Sequence, residues 1–404
     1  MTSDRSIGNG ELTRMAVLAL VGRQGPTSRA DMARELELSG ATVTKVTRQL
    51  IDRGILEPLS YEPSEGGRPG QLLGLVATAG RAIGVKVATD HLAIVEVQLD
   101  GQIVNSCNEP FDALASDAVP RLAASIRTFM ADGGSPLLGV GVGVPGIVDR
   151  PDSGVVNAGV LGWLSRSVGS ELRAELDTPV LVENDVKALA VAESLYGRGR
   201  GRSNFAVITI GRGVGFASVS GGVVSRGATG GAGEIAHVVL NPRGAVCPCG
   251  NRGCLETFVG STGLVTAGRR AGLLRKDEGL ERLAELADER DRNAQEVFAN
   301  AARKLGQSAA ASIAALDPEL IIVAGEGTFA WPHWERAFIS SLRRHLPEPM
   351  RSIAVEVEPW DDSSWARGAA AIVLATPFDH NAAGGRQTPR VLERLHGASV
   401  RSAV

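Results

Sequence analysis

The chain has 404 residues, about two to three times the usual size of one domain, so more than one folding unit is expected. Its formal net charge of −3, from 42 basic and 45 acidic residues, excludes a histone-like polycation but not a small DNA-binding module. No stretch approaches the ~18 apolar residues that a membrane span needs. The N-terminus lacks the layout of a signal peptide, so a cytoplasmic protein is expected.

Residues 1–76 are expected to form a winged helix-turn-helix DNA-binding domain. The spacing of apolar residues predicts three helices and then two strands, over residues 12–21, 29–35, 41–53, 55–59 and 71–76. Two short helices joined by a tight turn, the second with a polar outer face, are typical of a helix-turn-helix. In that motif the second helix of the pair enters a major groove of DNA.

The third helix carries most of the candidate DNA-contacting residues. Five polar side chains on its outer face can reach phosphates or base edges, namely Thr42, Thr44, Lys45, Arg48 and Gln49. Arg68, in the Gly/Pro-rich wing, suits a narrow minor groove. Residues 1–70 hold nine basic and nine acidic residues, so their net charge leaves a three-helix protein-interaction module open as an alternative.

Residues 77–378 are expected to form an α/β effector and oligomerisation domain. The order of strand meander, helix, strand and helix is typical of each lobe in a two-lobed sugar-kinase-like fold of the actin and hexokinase type. Lobe one is predicted over residues 81–184 together with a C-terminal helix over 364–376, and lobe two over 185–363. Residues 379–404 are polar and lack periodicity, which predicts a disordered tail.

The strongest chemical signal is a set of four potential metal ligands, His237, Cys247, Cys249 and Cys254. Three thiolates and an imidazole make a complete tetrahedral Zn²⁺ set, which predicts one structural zinc per chain without an open position for water. Unpaired cysteines in a loop are the alternative. Cys107 lies outside this set and is expected to be buried in a strand.

The motifs of the chain resemble those of the ROK family (repressors, open reading frames, kinases). The resemblance runs from the winged module to about Phe378 and is to the family's transcriptional regulators, in particular the N-acetylglucosamine and xylose repressor group. It rests on the cysteine motif and on four shorter motifs, Gly143-Val-Pro-Gly146, Val182-Glu-Asn-Asp185, Gly233-Glu-Ile-Ala-His237 and Asp317-Pro-Glu-Leu320.

The resemblance implies a sugar-binding set of five residues, Asn184, Asp185, Glu234, His237 and Glu256. In the family's sugar kinases the Asp of the Asn-Asp pair is the general base. Carboxylates, an amide and an imidazole can satisfy adjacent sugar hydroxyls, each of which donates and accepts. A histidine that binds zinc through one nitrogen can face the sugar with the other. An ordinary helix N-cap is the alternative role for the Asn-Asp pair.

The chain departs from the family's kinases where they bind ATP. The kinases carry Asp-x-Gly-x-Thr after the first strand, whereas this chain has Lys86 at the position of the Asp. The second phosphate loop reads Gly211-Arg212-Gly213 instead of Gly-Thr-Gly. A bulky cation in this loop hinders the close backbone approach that phosphates need. The chain is therefore expected not to be an enzyme, and Asp185 is expected to accept a hydroxyl rather than act as a base.

Two further departures concern the sugar itself. Val160 replaces an Asn that contacts sugar in the family, and Ala236 replaces the glycine before His237. The pocket is therefore expected to accept a different sugar, a sugar phosphate or a weakly bound ligand.

Together these features predict a transcriptional regulator, of the repressor type, that senses a sugar. Homodimers or homotetramers would hold two winged modules about one DNA turn, or a multiple of it, apart on an operator. A sugar that closes the cleft between the lobes would then shift the population away from the DNA-binding geometry. An active ROK sugar kinase and a regulator that no longer responds to sugar are the remaining alternatives.

Overall fold

The computed structural model describes four stretches of the chain, residues 9–61, 70–130, 134–378 and 383–397. The chain divides into two compact units, Met1–Gly201 with Trp365–Val404 and Arg202–Ser364. Each unit contains a five-stranded mixed sheet. Among the described residues, no helix combines the length and the apolar character needed to cross a bilayer.

The N-terminal part of the first unit is a winged helix-turn-helix, as predicted. It comprises α1 (Asn9–Gln24), β1 (Thr27–Ser28), α2 (Arg29–Glu35), α3 (Gly40–Asp52), β2 (Leu56–Tyr61) and β3 (Gln71–Leu75). The strands pair antiparallel in the order β1-β3-β2. Ser39 begins α3 as its N-cap, because its hydroxyl accepts a hydrogen bond from the Thr42 amide at 3.1 Å. The wing residue Arg68 lies outside the described residues.

The sheet of the first unit has the order β11-β7-β4-β5-β6. The β11–β7 and β7–β4 pairs are parallel, and the β4–β5 and β5–β6 pairs are antiparallel. Its elements are β4 (Arg81–Val87), β5 (His91–Gln98), β6 (Ile103–Pro110), α4 (Ala118–Met130), β7 (Leu137–Val144), α5 (Val168–Leu176), β11 (Val180–Asn184) and α6 (Asp185–Tyr196), and a small second sheet comprises β8 (Ile147–Val148), β9 (Val156–Ala158) and β10 (Trp163–Arg166). The central strand β4 is almost entirely buried, which explains its run of apolar residues.

The second unit has a sheet of order β14-β13-β12-β15-β16. Its elements are β12 (Phe205–Ile210), β13 (Val214–Ser220), β14 (Val223–Val224), α7 (Glu256–Val259), α8 (Ser261–Arg270), α9 (Leu280–Asp288), α10 (Arg292–Leu316), β15 (Leu320–Ala324), α11 (Trp331–His345) and β16 (Ala354–Val357). Phe298, Trp334 and Phe338 pack between α10 and α11 and belong to the core that covers this sheet.

The chain then returns to the first unit through α12 (Asp362–Leu374) and α13 (Thr388–Gly397). Helix α12 lies directly on the sheet because two strand glycines leave room for its backbone. A Cβ on Gly84 would lie 1.9 Å from the Ala366 carbonyl oxygen, and a Cβ on Gly141 would lie 1.8 Å from that of Ala369. Only glycine therefore fits at these two positions.

Helix α1 of the winged module packs on the body of the first unit. Val17 and Leu18 of α1 share one buried apolar cluster with Val373 of α12. The Phe378 ring lies against Gly22, where a Cβ would be 2.8 Å from the ring. The module and the first lobe thus form one folded unit.

Two predictions about domain organisation are wrong. Helix α6 was assigned to lobe two, but it belongs to the first unit, whose boundary falls at Gly201. Residues 383–397 of the predicted disordered tail are structured, and Val391 and Leu395 of α13 are buried. These two residues are four apart and so share one helix face, a stripe too short to stand out in a Gly- and Arg-rich segment.

Candidate functional site

The outer face of α3 presents the side chains predicted to contact DNA. Thr44, Lys45 and Arg48 are exposed, while Thr42 and Gln49 are partly buried. The opposite face, with Val43, Val46, Thr47 and Leu50, is buried in the module. The amphipathic division of α3 thus leaves two cationic side chains directed to solvent.

The two threonine hydroxyls on this face already have local partners. Thr44 Oγ1 donates to the Gly40 carbonyl oxygen at 2.7 Å, and Thr42 Oγ1 lies 2.8 Å from the Ser39 hydroxyl. Since the proton of Thr44 is engaged within the helix, its hydroxyl is left as an acceptor. Lys45, Arg48 and Gln49 therefore supply the side-chain donors of this face.

A partly buried hydrogen bond that the sequence did not predict joins the two helices of the motif. Arg29 Nε on α2 donates to Thr47 Oγ1 on α3 at 2.9 Å, and that hydroxyl donates in turn to the Val43 carbonyl oxygen at 2.8 Å. The bond holds α3 at a defined angle to α2. The sequence offered one indication of this bond, a threonine within an apolar stripe. It did not indicate the partner, which lies 18 positions away.

In the first unit, Asn184 is the N-cap of α6, the alternative role raised by the sequence. Its Oδ1 accepts from the Lys187 amide at 3.1 Å, and its Nδ2 donates to the Gly146 carbonyl oxygen at 3.0 Å. The side chain is only 8% exposed, so these bonds hold it firmly. The second proton on Nδ2 is the donor that Asn184 can still offer to a ligand.

Asp185 forms an ion pair with Lys86, the residue that the resemblance places at the position of the kinases' Asp. Lys86 Nζ bonds to Asp185 Oδ2, and the two side chains are 13% and 11% exposed. Gly143 on β7 pairs with Lys86 on β4 and has no side chain to obstruct the approach. The Lys86 ammonium also lies 4.7 Å from the centroid of the Trp365 ring.

In the second unit, His237 connects two groups of predicted site residues. Its Nε2 lies 3.7 Å from Glu234 Oε2, and its Nδ1 lies 3.5 Å from Cys247 Sγ. Both His237 and Glu234 are about one-third exposed, at 33% and 32%. Glu256, the first residue of α7, lies beside Gly213, where a Cβ would be 2.8 Å from its Oε2.

The four predicted metal ligands lie together. One ligand atom each from His237, Cys247, Cys249 and Cys254 falls within 4.8 Å of all the others, and Cys249 Sγ is 3.7 Å from Cys254 Sγ. Tetrahedral zinc with Zn–S bonds of about 2.3 Å requires ligand separations of about 3.8 Å. The cluster could therefore hold a single metal ion.

The chemistry of the thiols also favours a cation at this cluster. Cys247 and Cys254 are buried, and burial raises the pKa of the Cys254 thiol to about 12. Without a cation this thiol keeps its proton at neutral pH, whereas a bound metal ion displaces it. The Cys249 side chain is exposed, and a backbone hydrogen bond from Asn251 lowers the pKa of its thiol.

The loop Gly211–Gly213, between β12 and β13, contains a carboxylate contact that the sequence did not predict. Glu326 Oε1 accepts a hydrogen bond from the Arg212 amide at 2.7 Å. A Cβ on Gly211 would lie 2.2 Å from the Glu326 carboxyl carbon. The only indication in the sequence was that Glu326 stands between two glycines, Gly325 and Gly327, directly after β15.

The predicted sugar ligands are distributed over the two units. Asn184 and Asp185 lie in the first unit, and Glu234, His237 and Glu256 lie in the second. Within the second unit, the structure brings Glu234 and His237 together beside the cysteine cluster.

Comparison with known proteins identifies the family. The ROK family model matches residues 82–376. The chain belongs to the ROK family. Residues 11–58 match the MarR family model, and this stretch contains α2 and α3. The ROK match covers both five-stranded sheets, from β4 through β16.

Relatives of this ROK chain include curated repressors. The DNA-binding transcriptional dual regulator NagC of Escherichia coli is 29% identical over 386 residues, which cover 91% of this chain and 94% of NagC. The xylose repressor of Caldicellulosiruptor bescii is 25% identical over 391 residues, which cover 90% of this chain and 96% of that repressor.

Solved ROK structures include a regulator and kinases. A ROK family transcriptional regulator, described as a homolog of the E. coli MLC protein, has a TM-score of 0.78, is 25% identical, and covers 96% of this chain and 99% of its own. A ROK family glucokinase from Streptomyces griseus, in complex with glucose and AMPPNP, has a TM-score of 0.65 and is 26% identical. It covers 72% of this chain and 99% of its own.

Proposed function

We propose that this ROK protein is a DNA-binding transcriptional repressor whose body binds a sugar or sugar derivative and does not phosphorylate it. The observation that carries the proposal is the exposed cationic face of α3 on the same chain as the ROK body. The similarity to NagC supports it, because it spans 91% of this chain, far more than the ROK body alone.

The proposed DNA-binding set is Thr42, Thr44, Lys45, Arg48, Gln49 and the wing residue Arg68. Lys45 and Arg48 carry the charge that pairs with phosphates or guanine edges. Thr47 and Arg29 contribute indirectly, because their hydrogen bond sets the angle of α3.

The test of this interface is the binding of full-length protein to genomic DNA fragments that the protein itself has selected. Arg48→Ala is expected to weaken binding by about tenfold or more, since a good base or phosphate contact contributes about 1–3 kcal/mol. Arg270→Ala removes one exposed arginine from α8 in the second unit and is the matched control. Equal affinities for wild type, Arg48→Ala and Arg270→Ala would contradict the interface and favour a protein-interaction module.

The Lys86–Asp185 ion pair supports the absence of kinase activity. A general base must be able to reach the hydroxyl proton that it removes. Here a lysine ammonium bonds to the carboxylate that would serve as that base. The same lysine replaces the acidic residue at the kinase metal and phosphate position. Purified protein is therefore expected not to consume ATP with any hexose, and turnover with any of them would contradict this part of the proposal.

The proposed sugar ligands are Asn184, Asp185, Glu234, His237 and Glu256. The buried cap bonds of Asn184 and the Lys86 partner of Asp185 fix these two side chains before a ligand arrives. Such preorganisation lowers the entropic cost of binding a ligand, because few rotamers remain to be ordered. Ligand screening would identify the substituents of the sugar, including whether it carries a phosphate.

We also propose that His237, Cys247, Cys249 and Cys254 hold one structural Zn²⁺ per chain. Four protein ligands leave no position for a reactive water, so the ion would serve to fix the loop and not to activate a substrate. His237 would be oriented by this site through Nδ1 while Nε2 stays directed toward Glu234.

The packing of α1 suggests how a ligand could influence DNA binding. Trp365, near the start of α12, contacts Lys86, and Phe378, shortly after the end of α12, lies against Gly22 of α1. A ligand that shifts the Lys86–Asp185 pair would act on α12 and through it on the module. Homodimers or homotetramers would place two modules on one operator.

A further inference from the structure

We propose that the Glu326 carboxylate takes the place of a phosphate group at the glycine loop Gly211–Gly213. The carboxylate thereby keeps nucleoside triphosphates and other polyphosphates out of the second unit. This role is separate from that of Lys86, which lies in the first unit. It gives the second unit its own means of excluding the nucleotide, in addition to the bulk of Arg212.

The position of the carboxylate is the first support. Glu326 Oε1 accepts the Arg212 backbone N–H at 2.7 Å. The carboxyl carbon and both its oxygens would lie within 2.2–2.6 Å of a Cβ on Gly211. The acid therefore rests on the face of the loop that the missing glycine side chain leaves open.

The chemistry of the loop is the second support. Backbone amides in glycine-rich loops bind phosphate oxygens, because no side chain hinders the approach of an anion. A carboxylate oxygen carries the same sign of charge and accepts the same hydrogen bond. A phosphate group at this loop would have to displace the carboxylate or tolerate a like charge in contact with it.

The glycine loop and the segment Gly325–Gly327 approach each other at more than this hydrogen bond. Gly325, just before Glu326, has φ of +101°, and a Cβ on Gly327 would lie 2.9 Å from the Ile210 carbonyl oxygen. Ser261 supports the loop from α8, with its amide and its hydroxyl donating to the Gly211 carbonyl oxygen at 2.9 and 2.7 Å. The backbone beside Glu326 thus packs closely against the strand end that leads into the glycine loop.

Glu319 provides a comparison within the same unit. Its Oε1 accepts the Ser203 and Asn204 amides at 3.2 and 3.0 Å, and its side chain is exposed like that of Glu326. Its partners lie in a turn before β12 and not in a glycine loop. Replacement of Glu319 removes the same charge and the same kind of hydrogen bond without opening the loop.

The experiment is isothermal titration calorimetry of full-length protein with tripolyphosphate and, separately, with AMPPNP and Mg²⁺. Glu326→Ala is expected to bind tripolyphosphate at least tenfold more tightly than wild type, while Glu319→Ala binds like wild type. Glu326→Gln keeps an acceptor but loses the charge, and is expected to show a smaller gain. AMPPNP is expected to follow the same order.

Two results would overturn the inference. These are an affinity of Glu326→Ala no higher than that of wild type, and an equal gain in Glu319→Ala. Circular dichroism identifies a variant that has failed to fold, and Glu326→Gln then decides the matter. DNA binding is expected to be the same in wild type and in all variants. Wild-type protein that does not bind DNA would count against the proposed function and not against this inference.

Discussion

Lys86 and Asp185 show how two residues that are far apart in the sequence form one partly buried contact. The resemblance to the family predicted that Lys86 stands where the kinases have an Asp, because this comparison needs only one short motif. The pairing with Asp185 was not predicted, since the two positions are 99 residues apart and meet only when β4 and β11, the strand before α6, are both in the sheet. The same holds for Arg29 with Thr47 and for Arg212 with Glu326.

The Lys86–Asp185 pair predicts a specific pattern of stability. Lys86→Ala leaves a largely buried carboxylate without its cation, and is expected to lower the free energy of unfolding by about 3 kcal/mol. Lys86→Ala combined with Asp185→Asn is expected to cost less than Lys86→Ala alone, because no buried charge remains unpaired. Urea denaturation measures both variants. A double variant less stable than Lys86→Ala would contradict this reading of the pair.

Among the larger elements, those with long periodic patterns were predicted well. Helices α3 and α12 begin and end within two residues of their predicted bounds. Elements such as β8, β9 and α7 were not predicted, because two to four residues carry no periodicity. Helix α13 was missed for a related reason, since its buried stripe amounts to two residues in a polar context.

Helix α13 is expected to contribute to the stability of the first unit. Leu395 is 1% exposed, and Arg394 donates to the carbonyl oxygens of Leu137 and Asp177 at 3.1 and 3.2 Å. Leu395→Ala is expected to cost about 2–4 kcal/mol because it leaves a cavity. The exposed neighbour Glu393 gives the control Glu393→Ala, for which little change is expected. Equal urea midpoints for these two variants would show that α13 does not dock as described.

The cysteine loop was the element for which the sequence predicted the grouping of side chains best, because all four predicted metal ligands lie together. The identities and spacing of the ligands are local, so their meeting depends on one short loop and on His237. We expect about one zinc per chain in wild type and loss of zinc in Cys254→Ser, measured by elemental analysis of purified protein. Cys107→Ser removes a cysteine outside the cluster and is expected to keep the metal. Stoichiometric zinc in Cys254→Ser, or a folded wild type without metal, would contradict the site.

At the scale of the whole molecule, the sequence placed the winged module and the body in separate domains, whereas the module and the first lobe share a buried core. Gly22 of α1 meets Phe378, more than 350 positions later. Such a contact has no local signature, because either residue alone is typical of many environments. It matters for the proposed function, since a module packed on the unit that holds Asn184 and Asp185 can respond to a ligand that these residues bind.

The measurement that tests the account most directly is the affinity of full-length protein for a selected DNA fragment, with and without each member of a sugar panel. At least one sugar or sugar phosphate is expected to change the Kd for DNA by about fivefold or more, the usual range of coupling between two sites. Glu256→Gln is expected to bind DNA like wild type and to lose that response. DNA affinity that no sugar alters, or an undiminished response in Glu256→Gln, would contradict the account.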